Sequence, residues 1–170
     1  RPWNWDSEIL TQTPSKEYLF DFMQKLYNET SSREDAFLEI NKTYSKVLQL
    51  WPYRIVIVLP PLSDWIEITV VKPIKKLKIS DYKLDTKILN LLQTKSNWIL
   101  ISWWPWQWKT TFAQALVEMY VDMKKIVKTV ESPRDLLVPN EVTQYSFSYA
   151  PHSEIRDILL LSRPDYTVYD

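Results

Sequence analysis

No glycine occurs anywhere in the 170 residues of this chain, and that absence limits what it can fold into more than any motif does. Glycine takes up left-handed backbone at little cost and lets a ligand or a second backbone come close. A globular chain of this length ordinarily holds about 12 of them, near 7%. Tryptophan, normally scarce, appears nine times. Trp51 in "LWPY" and Trp65 in "PPLSDW" stand between strand-like runs, where turns are needed and tryptophan is a poor turn former. Four more tryptophans crowd into residues 103–108.

Around those positions the texture of the chain changes twice. Thr13-Pro14 offers an N-cap and an N1 proline, and Leu19, Phe22, Met23 and Leu26 recur at helical spacing, so a helix is expected over 14–27. After "NETSSRED" come "AFLEIN", "YSKVLQL", "YRIVIVLP" and "IEITVVK", rich in β-branched and aromatic residues, which read as strands of an antiparallel sheet. From Leu84 onward Ile88, Leu91 and Leu92 follow the possible cap Asp85, giving a helix that ends near Lys95. Next is "NWILIS", of buried-strand type, then the tryptophan-rich loop, then a helix with Phe112, Leu116, Met119 and Tyr120 on one face. "KIVKTV", "SEIRDILLLSR" and "YTVYD" continue as strand, helix and strand, an alternation that indicates a parallel α/β sheet. The expected organisation is a helical extension at 1–35, a β-rich domain at 36–84 and an α/β core at 85–170.

Composition excludes some function classes. No apolar run approaches the roughly 18 residues of a membrane span. With 21 basic and 21 acidic residues the net charge is zero, so any nucleic-acid contact must be local rather than a general electrostatic one. The densest basic run, "KPIKKLKISDYK", reads as solvated surface in preference to a phosphate-tracking patch. Without cysteine there are no disulfides or thiolate metal sites. Two sequons, at Asn28 and Asn41, are at chance level, and the cytoplasm is the expected compartment. His152, the single histidine, lies in the polar loop "APHSEIR" and reads as a surface residue rather than a ligand.

The loop itself carries the chemistry. It runs Trp103-Trp104-Pro105-Trp106-Gln107-Trp108-Lys109-Thr110-Thr111. With glycine at 103 and 108 it becomes G-x-x-x-x-G-K-[ST], between a strand and a helix, and glycine at 106 extends the match. Such a loop holds phosphates because backbone N–H groups converge in a concave nest at a helix N-terminus. Lys109 would reach the β and γ phosphates of ATP, and Thr110 would offer its hydroxyl to Mg²⁺. Indoles in that hollow would fill it, so the loop read literally cannot bind ATP, and this chain as written is expected to be inactive. Three accounts compete. Each tryptophan stands for a glycine of the molecule; or the substitution is deliberate; or the cluster is an aromatic platform for stacking single-stranded bases. The first explains the missing glycine, the surplus tryptophan, the turns and the motif together.

On that reading the chain from about Phe37 onward resembles the ATPase region of the archaeal PIN-domain ATPases, within the secretion-type ring ATPases. The residues that carry the resemblance are "YRIVIVLPPLSDWIEITVVKPIKKLKISDYKL", "SWWPWQWKTTFAQAL", "KIVKTVESPRDL" and "DILLLSRPDYTVYD". It implies a RecA-like P-loop NTPase core, here incomplete, behind a small β-rich N-terminal domain, with assembly into a homo-oligomer, a hexamer, and Mg²⁺-dependent ATP hydrolysis at subunit interfaces. The resemblance puts Glu131 of "TVESPRD" near the metal and the attacking water. It makes Asp170 the acid that holds Mg²⁺ at the end of a buried strand. In the family a glutamate follows directly, and this chain stops before it, so the 170 residues are expected to be a fragment truncated there. Arg54, Arg134, Arg156 and Arg163 are candidates for sensing phosphate across a subunit boundary. A motor acting on nucleic acid, of helicase or branch-migration type, is the leading expectation. A pilus or secretion ATPase acting on protein is the close alternative, and a non-enzymatic aromatic binding module stands if the tryptophans are real.

Overall fold

The computed structural model describes residues 12–72, 76–94, 98–102 and 109–170. Helix α1 (Lys16–Ser32) begins two residues later than the Thr13-Pro14 signal indicates. Ser15 is the cap, its Oγ accepting from the Tyr18 N–H at 3.2 Å, with Glu17 in the first turn. Four strands follow, β1 (Ala36–Asn41), β2 (Ser45–Leu50), β3 (Tyr53–Val58) and β4 (Glu67–Val71), in one antiparallel sheet of order β1-β2-β3-β4. Leu48 pairs with Ile55, and both turn inward with Ala36, Leu50 and Ile57. Met23 and Leu26 of α1 close over this cluster. One face of the helix therefore covers one face of the sheet.

Register along β1 breaks once. Leu38 pairs with Leu48 and Ile40 with Val47, which leaves Glu39 as the extra residue of a β-bulge. The bulge takes a lone acid out of the alternation of "AFLEIN" and aims it away from the sheet's own core.

A 3₁₀ turn (Ile79–Tyr82) leads to α2 (Thr86–Thr94), where the expected Asp85 cap is present: its Oδ1 accepts from the Lys87 N–H at 2.7 Å. Helix α3 (Lys109–Asp122) is buried almost all round, from Ala113 through Val117 and again at Met119 and Tyr120. Strand β5 (Val127–Glu131), β6 (Thr143–Ser146), helix α4 (His152–Ser162) and β7 (Tyr166–Tyr169) complete the chain. The three strands are parallel, in the order β6-β5-β7. Val127 packs into the cluster of Leu92, Leu116, Val117 and Tyr120, whereas Val130 packs with Ile155 and Leu159 of α4. Helices on both faces explain why "KIVKTV" is apolar without alternating. The chain is α/β, and its second sheet is the parallel one the alternation calls for.

Two local expectations differ from what forms. Residues 98–102 of "NWILIS" make no strand, and Trp98 is 97% and Leu100 94% exposed. Among the described residues no neighbouring strand takes up their N–H and C=O groups, and an apolar run becomes a strand only where a ladder receives it. The second difference concerns turns. Left-handed backbone among the described residues falls at Lys83, Lys124 and Arg163, and at none of Trp51, Trp65 and Trp98. Lys124 ends α3, where the Lys125 N–H reaches Tyr120 O at 3.0 Å and the Lys124 N–H reaches Val121 O at 2.8 Å. This is the six-to-one and five-to-two pairing that glycine usually serves.

Candidate functional site

Parallel strands β5, β6 and β7 end together, and open α/β sheets bind ligands outside such carboxyl ends. Asp170 directly follows β7, held by its own N–H to Val130 O at 3.1 Å. From the first turn of α3, Thr110 donates its Oγ1 to Asp170 Oδ2 at 3.2 Å, across 60 residues of sequence. Lys109 and Thr111 flank Thr110 in that half-buried turn, where the helix dipole is positive. Of the sequence-derived site residues, the fold thus brings Thr110 to Asp170, with Lys109 and Thr111 on either side of Thr110 in the chain. Trp103, Trp104, Pro105, Trp106, Gln107 and Trp108 lie outside the described residues.

A second carboxylate comes four residues after the end of β5. Asp135 follows the Ser132-Pro133 turn and takes a 2.6 Å ion pair from Arg54 Nη1 of β3. Burial pushes the Asp135 carboxyl above its usual range; the Arg54 charge opposes this, and the nearby Asp170 charge adds to it. Asp135 was not among the sequence-derived candidates. Its signal was the "PRD" run, which sequence alone reads as a polar turn.

Glu131 is fully buried. Its Oε1 accepts from the Thr129 hydroxyl and from Gln144 Nε2 at 2.9 Å, and its Oε2 from the N–H groups of Asp135 at 2.8 Å and Leu136 at 2.9 Å. Gln144 also donates to Leu136 O at 3.0 Å. Desolvation raises the Glu131 carboxyl above its ordinary range in spite of these four donors. Both oxygens are occupied by donors from the 129–144 segment. In this arrangement the carboxylate ties the turn carrying Asp135 to the end of β5.

The adjacent residue, Arg134, points to the other sheet. Its Nε donates to Glu39 Oε1 at 2.6 Å, Ser146 Oγ donates to Glu39 Oε2 at 2.7 Å, and its guanidinium carbon lies 3.6 Å from the Phe37 ring centroid. Tyr149 adds a hydroxyl bond to Leu38 O at 2.7 Å. The bulge at Glu39 makes this contact possible. Of the remaining arginine candidates, Arg156 pairs with Asp157 on the exposed face of α4, and Arg163 closes that helix. His152 is exposed at the start of α4 with its ring 3.6 Å from that of Phe147.

The donor set fits a hard divalent cation. Mg²⁺ takes one or two carboxylates together with water and phosphate oxygens, rather than an all-protein cage. Among the described residues no group of three or more His, Cys, Asp or Glu could hold a metal, and Thr110 with Asp170 offers oxygen ligands only. No helix among the described residues is long and apolar enough to cross a membrane.

No family model matches the chain. It is 46% identical over 171 residues to the Holliday junction branch migration ATPase PINA of Sulfolobus acidocaldarius, a match that takes in 100% of this chain and 34% of that protein. It is also 40% identical over 156 residues to an uncharacterised KH and PIN-domain containing protein of Methanocaldococcus jannaschii, covering 92% of this chain and 24% of that protein. The relatives are therefore archaeal PIN-domain and KH proteins, and the chain spans about a third of the first and a quarter of the second.

Proposed function

We propose that this chain carries the nucleotide-binding half of a Mg²⁺-dependent P-loop ATPase of the secretion-type ring superfamily, one that works on branched nucleic acid as part of a hexamer. The observation that carries this reading is the Thr110 to Asp170 contact at the mouth of the parallel sheet. A hydroxyl one residue after a lysine, at a helix N-terminus, meets an exposed acid at the end of a half-buried parallel strand. The similarity to a branch migration ATPase supports nucleic acid as the substrate class. In this reading 36–84 is the N-terminal domain, 85–170 the RecA-like core, and 1–35 an extension.

The residues divide the work by their chemistry. Thr110 and Asp170 supply oxygens to the cation, which when bound would draw charge off the phosphate oxygens. Lys109 reaches the terminal phosphates as a point charge. Glu131 fixes the turn that carries Asp135, and Asp170 at the end of β7 would orient water beside the cation. Residues 103–108 form the phosphate cradle only where positions 103, 106 and 108 have no side chain, and with indoles there the cradle is filled.

Calorimetry with Mg-ATP tests this. The chain with tryptophan at 103, 106 and 108 gives no binding heat, and the Trp103→Gly/Trp106→Gly/Trp108→Gly variant binds. A glycine-bearing loop that still ignores Mg-ATP would end the proposal.

A further inference from the structure

Helix α1 covers its face of the antiparallel sheet incompletely. Between Met23, Gln24 and Tyr27 of the helix and Lys46, Leu48 and Ile57 of β2 and β3 lies a cavity of about 160 Å³. Leu48 and Ile57 are buried beneath it, Met23 and Tyr27 are half-buried, and Gln24 is exposed. Side chains alternate across a strand, so Leu48 looks toward α1 whereas Gln49 and its partner Arg54 look the other way, toward Asp135. The cavity is therefore on the opposite face of the sheet from the contact with Asp135.

Its lining selects a ligand. An apolar cavity of roughly 150 Å³ holds one six-membered aromatic ring. Methionine and tyrosine offer polarisable and aromatic surface for such a ring to pack on. Lys46 brings the one charge in the lining, and no acid is present there. The Lys46 amine donates to the neutral Asn41 amide oxygen and sits 5.9 Å from the Tyr27 ring centroid. Among the described residues no carboxylate forms an ion pair with it, so its charge is held in place without being neutralised. Gln24 gives its amide N–H to Asn28 at 3.4 Å, a long bond that yields readily to a better acceptor.

We propose that this cavity takes one unstacked pyrimidine of a nucleic-acid single strand, its ring against Met23 and Tyr27, its polar edge at Gln24 and a flanking phosphate on Lys46. A purine carries a second fused ring and exceeds the space. A branch that moves along a duplex unpairs bases as it goes, which supplies the occupant, and in this the proposal rests on the nucleic-acid reading above. Packing of the ring replaces the stacking lost in the strand.

Fluorescence anisotropy with labelled oligothymidine and oligodeoxyadenosine strands of equal length, and hence equal charge, tests the site. The parent binds the thymidine strand about fivefold more tightly. Met23→Phe, which fills the cavity with a ring of the protein's own, removes that preference and raises the melting temperature, so the loss is not one of folding. Lys46→Gln weakens both strands alike and lowers the slope of log affinity against log salt by about 0.7. Equal affinity of the parent for the two strands, or a preference that survives Met23→Phe, overturns the proposal. A four-way DNA junction titrated in parallel reports on the nucleic-acid reading. A parent that binds the junction without distinguishing the strands refutes the cavity alone, and one that binds no DNA refutes both.

Discussion

Arg134 and Glu39, 95 residues apart in sequence, meet at 2.6 Å in the interior between the two sheets, with Ser146 on the second carboxylate oxygen and Phe37 against the guanidinium. A buried pair of this kind is costly to break from one side only. Glu39→Gln should lower unfolding stability by about 3 kcal/mol, and Glu39→Leu combined with Arg134→Met should recover most of that loss. Urea denaturation of the three proteins measures both numbers, and a double variant no better than the single one would contradict the pairing.

Glu131 is expected to act through geometry. In Glu131→Gln one carboxylate oxygen becomes an NH₂ that faces donors, either the Asp135 and Leu136 N–H groups or Thr129 and Gln144. That substitution should cost about 2–3 kcal/mol. Amide exchange at 135 and 136 should accelerate before exchange in β5 does. Equal acceleration throughout β5 would point to general unfolding instead.

The acids of this region set a pH dependence. Burial raises both Glu131 and Asp135 above the ordinary carboxylate range. Just above pH ~4 the unfolded chain releases protons that the folded chain still holds. Their contribution to stability is therefore full below that pH and declines as pH rises through the raised folded values. Asp135→Asn should flatten the decline above pH ~4 relative to the parent. Parallel stability curves for the two proteins would show that Asp135 takes no part.

Lys124 supplies an independent check on the backbone. It ends α3 with φ of 62°, a conformation that disfavours any residue with a Cβ. Lys124→Gly should raise stability by roughly 0.5–1 kcal/mol, the strain relieved less the added freedom of the unfolded chain. Trp65→Gly, at a position without positive φ, should give no such gain.

In the glycine-bearing loop, Thr110→Ala and Lys109→Ala should each weaken Mg-ATP binding by about 10- to 100-fold, the equivalent of one charge-assisted bond. With tryptophan in the loop neither substitution should alter the calorimetric trace. Magnesium dependence lost in Thr110→Ala but kept in Lys109→Ala would separate the cation ligand from the phosphate ligand.

Much of this architecture was legible because it is local. Strand β1 matches "AFLEIN" residue for residue, and β2 to β4, α2, α4 and β7 follow their alternating or helical spacing within a few positions. Strand β6 was not foreseen, since "TQYS" has no periodic apolar signal and is a strand only through its parallel pairing with β5. The run "NWILIS" shows the reverse case: strand-like letters with no ladder to join. Among the candidate site residues, Thr110 and Asp170 were recognisable by type and context, but their 3.2 Å approach was not.

The amino-acid order alone determined where helices and strands can start, which faces are apolar, and which residues have the chemistry to hold phosphate and a cation. Those properties depend on spacings of two to four residues. Tertiary structure decided that Glu131 would be enclosed by four donors, that Asp135 would meet Arg54 of the other sheet, and that a bulge would deliver Glu39 to Arg134. Each of these depends on burial and on partners brought from elsewhere in the chain, and desolvation and charge pairing act through space rather than along the backbone.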